Sequence, residues 1–391
     1  MHYVIRAQIT PDGVLNADVR IDLPRSGSGK WGLVLSRRFV LQPVETTPQA
    51  EVGIQPTEEP LGRLNRIDVR LKEPGDPPTV RVRYRGPVFA SEEQDRLGYT
   101  PDCIEMALEL MWLPFASQLN ERFTVDAEIA GVPADMVVVA QGEVEHEGDV
   151  VRVRRQVPDF DFAWTAVRGL ERVSAPGIDF YARDHDDPLV KVLRKHALDS
   201  AQFHQKWFGP MPGGTIRLAV VPRKNGGAYA RIGYTIIPEG RAAGEPPVEF
   251  SETGRAASVA HEFAHAWWAP ADPLSEDYWL AESIAQYASW RYIESVFGRE
   301  FLESRLGPAR AGIANAGPVL GHGRPSRLVL YTKVPLMLID LERRIGRDKL
   351  DRVLATLGRR PPRKTQEFLE VLREVAGEEV ARDFEASLRE G

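Results

Sequence analysis

The sequence has a single cysteine, no long hydrophobic run and no block of basic residues. Cys103 has no second cysteine to pair with, which excludes an internal disulfide and favours a reducing compartment. No segment reaches the roughly 20 consecutive apolar residues that a membrane-spanning helix requires. Lysine and arginine (50 together) are dispersed and outnumbered by aspartate and glutamate (56), so the basic footprint of a nucleic-acid-binding protein is absent.

The composition is that of a folded globular protein. Hydrophobic residues make up 43% and charged residues 27% of the 391, which argues against disorder, collagen and coiled coil. Residues 1–6 lack the basic and apolar regions of a secretory signal, so we expect a cytoplasmic protein. The abundance of arginine, alanine, glycine and proline suggests a GC-rich bacterial genome. We expect neither nucleic acid nor a membrane span, and the oligomeric state is left open.

The first half of the chain has the periodicity of β-strands. Residues 80–85 and 150–157 alternate apolar with charged side chains, as half-buried strands do. Residues 124–129 and 136–140 are further short candidates, separated by turn-forming glycine and proline. Many short strands at this spacing predict an antiparallel β-sandwich-like domain, which we assign to residues 1–175.

The periodicity changes near residue 188. Apolar side chains then recur at three- and four-residue steps, which indicates a helix, and residues 216–221 and 228–237 follow as strands. Helical patterns resume near Ser251 and continue to the C-terminus. The sequence therefore predicts an α+β protein in which a second, mixed domain spans residues 176–391.

The most informative segment is H-E-x-x-H, formed by His261, Glu262 and His265. Two histidines four residues apart on a helix lie on one face, so both imidazoles can bind one metal ion. Glu262 is rotated away from that face and can hold a water without binding the metal. A hydrolytic zinc site needs a third protein ligand, and Glu282 supplies a carboxylate on a second predicted helix.

These residues carry a family resemblance. H-E-x-x-H-x-W-W followed by D-x-W-L-x-E-x-x-A-x-Y resembles the gluzincin zinc peptidases of the alanyl aminopeptidase family. The resemblance implies that His261, His265 and Glu282 bind one Zn²⁺ per chain and that Glu262 is the general base. It also implies a thermolysin-like catalytic domain in a short two-domain form, without the helical C-terminal domain of many members. Sixteen residues separate His265 from Glu282, two fewer than is usual in the family, which we interpret as a shortened loop.

A third match lies downstream. Tyr331-Thr332-Lys333, followed by an apolar run, is similar to the Y-x-K segment of the family. The resemblance assigns the Tyr331 hydroxyl a hydrogen bond to the oxyanion of the tetrahedral intermediate. Peptide hydrolysis needs such a donor because negative charge develops on the carbonyl oxygen.

The resemblance breaks at the segment that binds the free N-terminus of the substrate. The family has G-A-M-E-N there, and this chain has Gly227, Ala228, Tyr229, Ala230 and Arg231. Alanine in place of the glutamate cannot accept a hydrogen bond from an ammonium group, and the neighbouring guanidinium repels one. We expect this segment to bind substrate through Gly227, Ala228, Tyr229 and Arg231. Arg231 could face a substrate carboxylate or another acidic group, or it could be a solvent-exposed or structural arginine. Nearby glutamates could replace the missing one.

The sequence predicts a zinc metallopeptidase that hydrolyses peptide bonds and is aminopeptidase-like. Two alternatives stay open. The altered segment fits an endopeptidase or a hydrolase of blocked or modified peptides. The second alternative is a scaffold that keeps the metal and binds peptides without cutting them, although Glu262 and Tyr331 argue against it.

Overall fold

A computed structural model of the chain describes residues 1–59, 62–73, 75–89, 97–119, 121–224, 226–241, 244–246, 249–269 and 271–390. The chain packs as two compact units. The first consists of Met1–His185, Thr215–Gly227 and Arg231–Val248, and the second of Asp186–Gly214, Ala228–Ala230 and Glu249–Gly391. The predicted α+β class, with a sheet-rich N-terminal part and a helical part, is confirmed. The boundary at residue 175 stays a prediction.

The strands of the described residues run in chain order as follows: β1 His2–Ile9, β2 Val14–Asp22, β3 Lys30–Ser36, β4 Val40–Leu41, β5 Glu45–Thr47, β6 Glu51–Glu59, β7 Gly62–Arg70, β8 Thr79–Pro87, β9 Cys103–Met106, β10 Phe115–Ala116, β11 Phe123–Ala130, β12 Met136–Ala140, β13 Glu143–Glu147, β14 Val150–Asp159, β15 Trp164–Arg168, β16 Glu171–Ala175, β17 Ile178–Ala182, β18 Ile216–Val221, β19 Tyr229–Arg231 and β20 Tyr234–Pro238.

Three sheets form the N-terminal part of the first unit. The largest has the order β13-β14-β11-β1-β2-β8-β4, with β5 also paired to β8. Its strands alternate buried and exposed residues, because one face packs on the core and the other carries charged side chains. Two smaller sheets have the orders β10-β3-β7-β6 and β12-β15-β9. The pairing is antiparallel as predicted, except that β1 and β11 run parallel. Cys103 is buried in β9.

The fourth sheet has the order β16-β17-β18-β20-β19. Strand β17 pairs with β18, and β18 with β20, in parallel. Apart from one half-buried residue, β18 and β20 are buried throughout, as near-continuous hydrophobic strands of a parallel sheet are. The strand predicted at residues 228–237, with a break at Gly233, forms β19 and β20, and the φ of +68° at Gly233 suits glycine.

The second unit is helical. Its helices are α1 Pro188–Phe208, α2 Glu252–Ala264, α3 Trp279–Phe297, α4 Arg299–Gly312, α5 Val334–Ile345, α6 Arg347–Arg359, α7 Thr365–Ala376 and α8 Glu378–Arg389. They surround a core in which Trp267, Trp268 and Trp279 are fully buried. No described helix has the length and hydropathy needed to cross a bilayer.

Candidate metal centre

Helix α2 provides the first two candidate ligands. The Ser251 hydroxyl caps its N-terminus by accepting a hydrogen bond from the backbone N–H of Gly254 (3.2 Å). Buried small and apolar side chains on the inner side of the helix bring His261 and Glu262 below the surface. The helix ends at Ala264, one residue before His265. His265 nevertheless keeps right-handed helical dihedral angles (φ −61°, ψ −16°), so the two histidines stay one turn apart on one face.

Glu282 lies in the first turn of α3, and the residues before it fix where that helix begins. The Asp277 carboxylate accepts hydrogen bonds from the backbone N–H of Thr365 (2.8 Å), from the Thr365 hydroxyl (2.9 Å) and from the Lys364 ammonium (3.0 Å). The indole N–H of Trp279 donates to the same hydroxyl (2.9 Å). Asp277 and Trp279 thus tie the start of α3 to α7, which holds Glu282 in position.

The three candidate ligands converge on one point. Nε2 of His261 lies 3.2 Å from Nε2 of His265 and 3.3 Å from Oε2 of Glu282. Nε2 of His265 lies 3.7 Å from the same carboxylate oxygen. In a tetrahedral zinc site, ligand atoms about 2.0–2.1 Å from the metal lie about 3.3 Å from each other. The separations match those of three ligands around one zinc ion.

The surroundings of these atoms also fit a metal. Oε2 of Glu282 is buried and accepts no hydrogen bond from the described residues. Nδ1 of His265 lies 3.4 Å from the carbonyl oxygen of Trp268, an arrangement that favours the tautomer with the proton on Nδ1 and the lone pair on Nε2. Two imidazoles and a carboxylate are one of the ligand sets found in catalytic zinc sites. The residues present therefore suit a zinc ion.

Two tyrosine hydroxyls lie at Glu282. The Tyr278 hydroxyl donates a hydrogen bond to Oε1 of Glu282 (2.6 Å), whereas the histidines lie next to Oε2. The Tyr331 ring lies 5.6 Å from the His261 ring, measured between centroids. Burial raises the pKa of Tyr331 well above its ordinary value, and the carboxylates of Glu282 and Glu262 raise it further. Tyr331 is therefore a neutral hydrogen-bond donor at neutral pH.

The charges of the cluster are strongly coupled. Burial by itself raises the pKa of Glu282, but the adjacent His265 and His261 outweigh it and hold that pKa well below its usual range. Burial by itself lowers the pKa of His261, but Glu282 and Glu262 outweigh it and raise that pKa. Two buried carboxylates thus favour positive charge between the imidazoles, whether a proton or a metal ion supplies it.

Tyr331 is positioned by an unusual turn. Residues Val329–Lys333 form a π-helical turn, in which the backbone N–H of Val334 donates to the carbonyl oxygen of Val329. The Lys333 ammonium donates to the carbonyl oxygens of Gly317 (3.0 Å) and Glu390 (2.8 Å). Single π-turns inside α-helices are rare, and many of those that occur lie at functional sites.

Arg231, in the segment expected to bind substrate, is held by the first unit. Its guanidinium donates to Oδ2 of Asp161 (2.7 Å) and to Oε1 of Glu109 (2.8 Å) and lies 5.2 Å from the centre of the Phe160 ring. Burial alone would lower the pKa of Arg231, but the two carboxylates raise it. Gly227 belongs to the first unit, and Ala228, Tyr229 and Ala230 to the second. The substrate-binding role of the segment stays a prediction.

Sequence reasoning missed residues around the ligands. Tyr278 occupies an unspecified position of the motif D-x-W-L-x-E, although its hydroxyl donates a hydrogen bond to Glu282. His204, buried in α1, binds the carbonyl oxygen of Ala260 through Nε2 (2.9 Å), next to His261. Burial lowers the pKa of His204 to about 4, so the ring is neutral. No spacing in the sequence relates His204 to α2, because 56 residues separate it from Ala260.

No known family profile matches the sequence. Among solved structures, the chain is similar to yeast leukotriene A4 hydrolase, with a TM-score of 0.76 and 17% identity over 100% of this chain and 67% of that one. It is also similar to an M1 zinc metallopeptidase from Deinococcus radiodurans, with a TM-score of 0.69 and 18% identity over 99% of this chain and 93% of that one. The chain has their fold. A mutant of the Deinococcus protein bound to a Tyr-Ser-Ala substrate matches with a TM-score of 0.68 and 18% identity over the same shares of the two chains.

Proposed function

We propose that this chain is a gluzincin of the M1 type, a zinc-dependent peptidase that hydrolyses peptide bonds. The observation that carries the proposal is the convergence of His261, His265 and Glu282 at the mutual distances of zinc ligands. The lone cysteine and the composition support a cytoplasmic bacterial enzyme. The peptide-bound relative and the fold it shares with this chain add support for a peptide substrate.

The side chains around the ligands suit each step of peptide hydrolysis. A zinc ion, when bound, supplies a Lewis acid that polarises the scissile carbonyl and lowers the pKa of water. Glu262 is the residue we expect to take the proton of the attacking water and deliver it to the leaving nitrogen. Tyr331 keeps its proton and donates a hydrogen bond to the oxyanion.

The altered Gly227–Arg231 segment decides between exopeptidase and endopeptidase. An aminopeptidase needs a carboxylate for the substrate's ammonium group, and Ala230 offers none. Arg231 stands where the family has asparagine, and its charge is compensated by Asp161 and Glu109. We favour an aminopeptidase-like enzyme in which another carboxylate binds the N-terminus. Cleavage of internal bonds or of blocked peptides is the second candidate, and the loss of the glutamate favours it.

The test is mass-spectrometric profiling of one peptide mixture, offered with free and with acetylated N-termini to the zinc-loaded protein. Stepwise loss of single residues from free peptides alone would support the aminopeptidase. Internal cuts, or equal rates on acetylated peptides, would support the second candidate. Glu262→Gln is the matched control, because the amide keeps the shape of the side chain but cannot act as a base.

We expect Glu262→Gln to keep stoichiometric zinc and to lose roughly 10²- to 10⁴-fold in turnover. Cleavage that survives this substitution would show that a contaminant or a different mechanism is responsible. Binding of peptides without cleavage by the unsubstituted protein would instead favour the non-catalytic scaffold.

A further inference from the structure

The loop before Tyr331 is exposed, and hydrogen bonds fix its start. The backbone N–H of Gly321 donates to the Glu276 carboxylate (2.5 Å), just before α3. The backbone N–H groups of Val319 and Leu320 both donate to the carbonyl oxygen of Leu388 (2.9 and 3.1 Å). Residues 321–324 of this loop are exposed, whereas the next residue, Pro325, is buried. Arg324 is the last residue of this exposed stretch, and Arg327, which is also exposed, lies at the start of the helical turns that contain Tyr331.

Each of these arginines stacks on one of the tyrosines of the candidate metal centre. The guanidinium of Arg324 lies 4.8 Å from the centre of the Tyr278 ring, and that of Arg327 lies 5.0 Å from the centre of the Tyr331 ring. The Tyr278 hydroxyl donates a hydrogen bond to Glu282. Burial is the main cause of the raised pKa of Tyr331, and the Glu282 carboxylate is the next largest. Each guanidinium thus contacts the ring of a tyrosine whose hydroxyl interacts with Glu282.

Within the described part of the chain, no carboxylate is paired with either of these two arginines. Across the described ranges, neither guanidinium forms an ion pair or a hydrogen bond with a carboxylate, and stacking is the contact that each one makes. By contrast, Arg310 of the second unit binds Asp340 (2.8 Å) and Arg343 binds Glu303 (3.0 Å). Arg231 is likewise bound by Asp161 and Glu109.

We propose that Arg324 and Arg327 form a subsite for a carboxylate of the bound peptide, beside the candidate metal centre. The inference rests on the proposed peptidase function and specifies its substrates as peptides that carry an acidic group. Stacking on the tyrosines holds both guanidinium planes while their N–H groups stay available, which suits bidentate binding of a carboxylate. The group is either an acidic side chain or the C-terminal carboxylate, and the two sources share this chemistry.

The experiment uses one neutral peptide amide and two sets of relatives. In the first set, glutamate replaces glutamine at each position in turn, and in the second the amide becomes a free C-terminal carboxylate. kcat and KM are measured for the wild type, for Arg324→Gln with Arg327→Gln, and for Arg305→Gln. Arg305 is the matched control, because it is exposed and stacks on an aromatic ring, Phe301 (5.5 Å), in α4. Equilibrium binding of the same peptides to the Glu262→Gln protein provides a second readout that is independent of turnover.

We expect one of the carboxylate-bearing peptides to have a KM lower than that of the neutral peptide by roughly tenfold. The double substitution should abolish this preference and keep kcat and KM for the neutral peptide within about twofold of the wild-type values. Added salt should weaken the preference of the wild type for the acidic peptide. The peptide set that shows the preference identifies the source of the carboxylate. Arg305→Gln should change neither value.

Equal losses on neutral and acidic peptides would overturn the subsite, because they would mean that the arginines only position the tyrosines. Equal cleavage of neutral and acidic peptides by the wild type would also overturn the subsite, but it would still support the proposed peptidase function. Failure to bind or cleave any of the peptides would overturn the proposed function and the subsite together.

Discussion

Two clusters in the second unit each combine buried histidine with glutamate, and they differ in what the histidine nitrogens face. In one, Nδ1 of His196 lies 2.7 Å from the Tyr292 hydroxyl and Nε2 lies 3.2 Å from the Glu252 carboxylate. In the other, Nε2 of His261 and Nε2 of His265 face each other at 3.2 Å. In the first cluster, each histidine nitrogen has a hydrogen-bond partner of its own. In the second, two imidazole nitrogens of the same kind face each other.

The difference separates a structural histidine from a candidate ligand. Each nitrogen of His196 has its own partner, so the ring is satisfied by the protein, and burial lowers its pKa. Two imidazole nitrogens and a carboxylate oxygen within 4.8 Å of one another form a group that can hold a cation. Within the described part of the chain, His261, His265 and Glu282 are the group with this property. Convergence, more than burial, marks the site.

The comparison predicts opposite results for two substitutions. His265→Ala should remove stoichiometric zinc and reduce turnover by roughly a thousandfold or more, because the metal loses one of three ligands. His196→Gln should leave the zinc content unchanged, since its partners lie in the other cluster. Metal analysis and peptide turnover on the two purified variants check this. Stoichiometric zinc in His265→Ala would contradict the assignment of the ligands.

The next largest effect concerns Tyr331. Tyr331→Phe removes the proposed oxyanion donor and keeps the ring that packs near His261. We expect kcat to fall by about 10²- to 10³-fold while zinc content and KM change little. Steady-state kinetics on the zinc-loaded variant provide the measurement. A kcat within twofold of the wild type would exclude Tyr331 from the reaction.

Tyrosine hydroxyls occur in both clusters and give a matched pair. Tyr278→Phe removes the hydrogen bond to Glu282 and should weaken zinc affinity by roughly 10- to 100-fold, because partners of metal ligands orient them. Tyr292→Phe removes the hydrogen bond to His196 and should leave zinc affinity unchanged while costing about 1 kcal/mol of unfolding free energy. Competition with a chelator measures the first, and urea unfolding the second. Equal zinc affinities in the two variants would argue that Tyr278 does not support the ligand.

The smallest effect extends the comparison to His204. Its native pKa of about 4 is below the ordinary value of 6.5, so the unfolded chain binds the extra proton. Stability is therefore lost as the pH falls through 6.5, by roughly 1 kcal/mol between pH 7 and pH 5.5. His204→Gln cannot titrate and should lack this contribution. Urea unfolding of both proteins at the two pH values tests it, and identical pH dependence would contradict it.

Much of the fold could be predicted because its patterns are local. The strands predicted at residues 136–140 and 216–221 coincide with β12 and β18, and the helix predicted from residue 188 is α1. Period-two and continuous apolar runs report which faces are buried, and that information lies within each segment. The parallel pairing of β1 with β11 was not predicted, because it joins segments more than 100 residues apart.

The site divides in the same way. His261, His265, Glu282 and Tyr331 could be named from motifs, and the structure brings them together, although their catalytic roles stay predictions. The contact of Arg231 with Asp161 and that of Arg324 with Tyr278 could not be predicted from motifs, because 70 and 46 residues separate the partners. Such contacts depend on how elements pack, and a single sequence carries no periodic signal for them.

The π-turn at Val329–Lys333 has an evolutionary consequence. A turn closed over five residues holds one residue more than the α-helix into which it leads, so it is equivalent to a one-residue insertion. Deleting one residue there would restore regular winding and rotate Tyr331 by about 100° relative to α5. The helix would survive, and the hydroxyl would leave Glu282. Loss of a single codon would therefore keep the fold but turn Tyr331 away from the candidate metal centre.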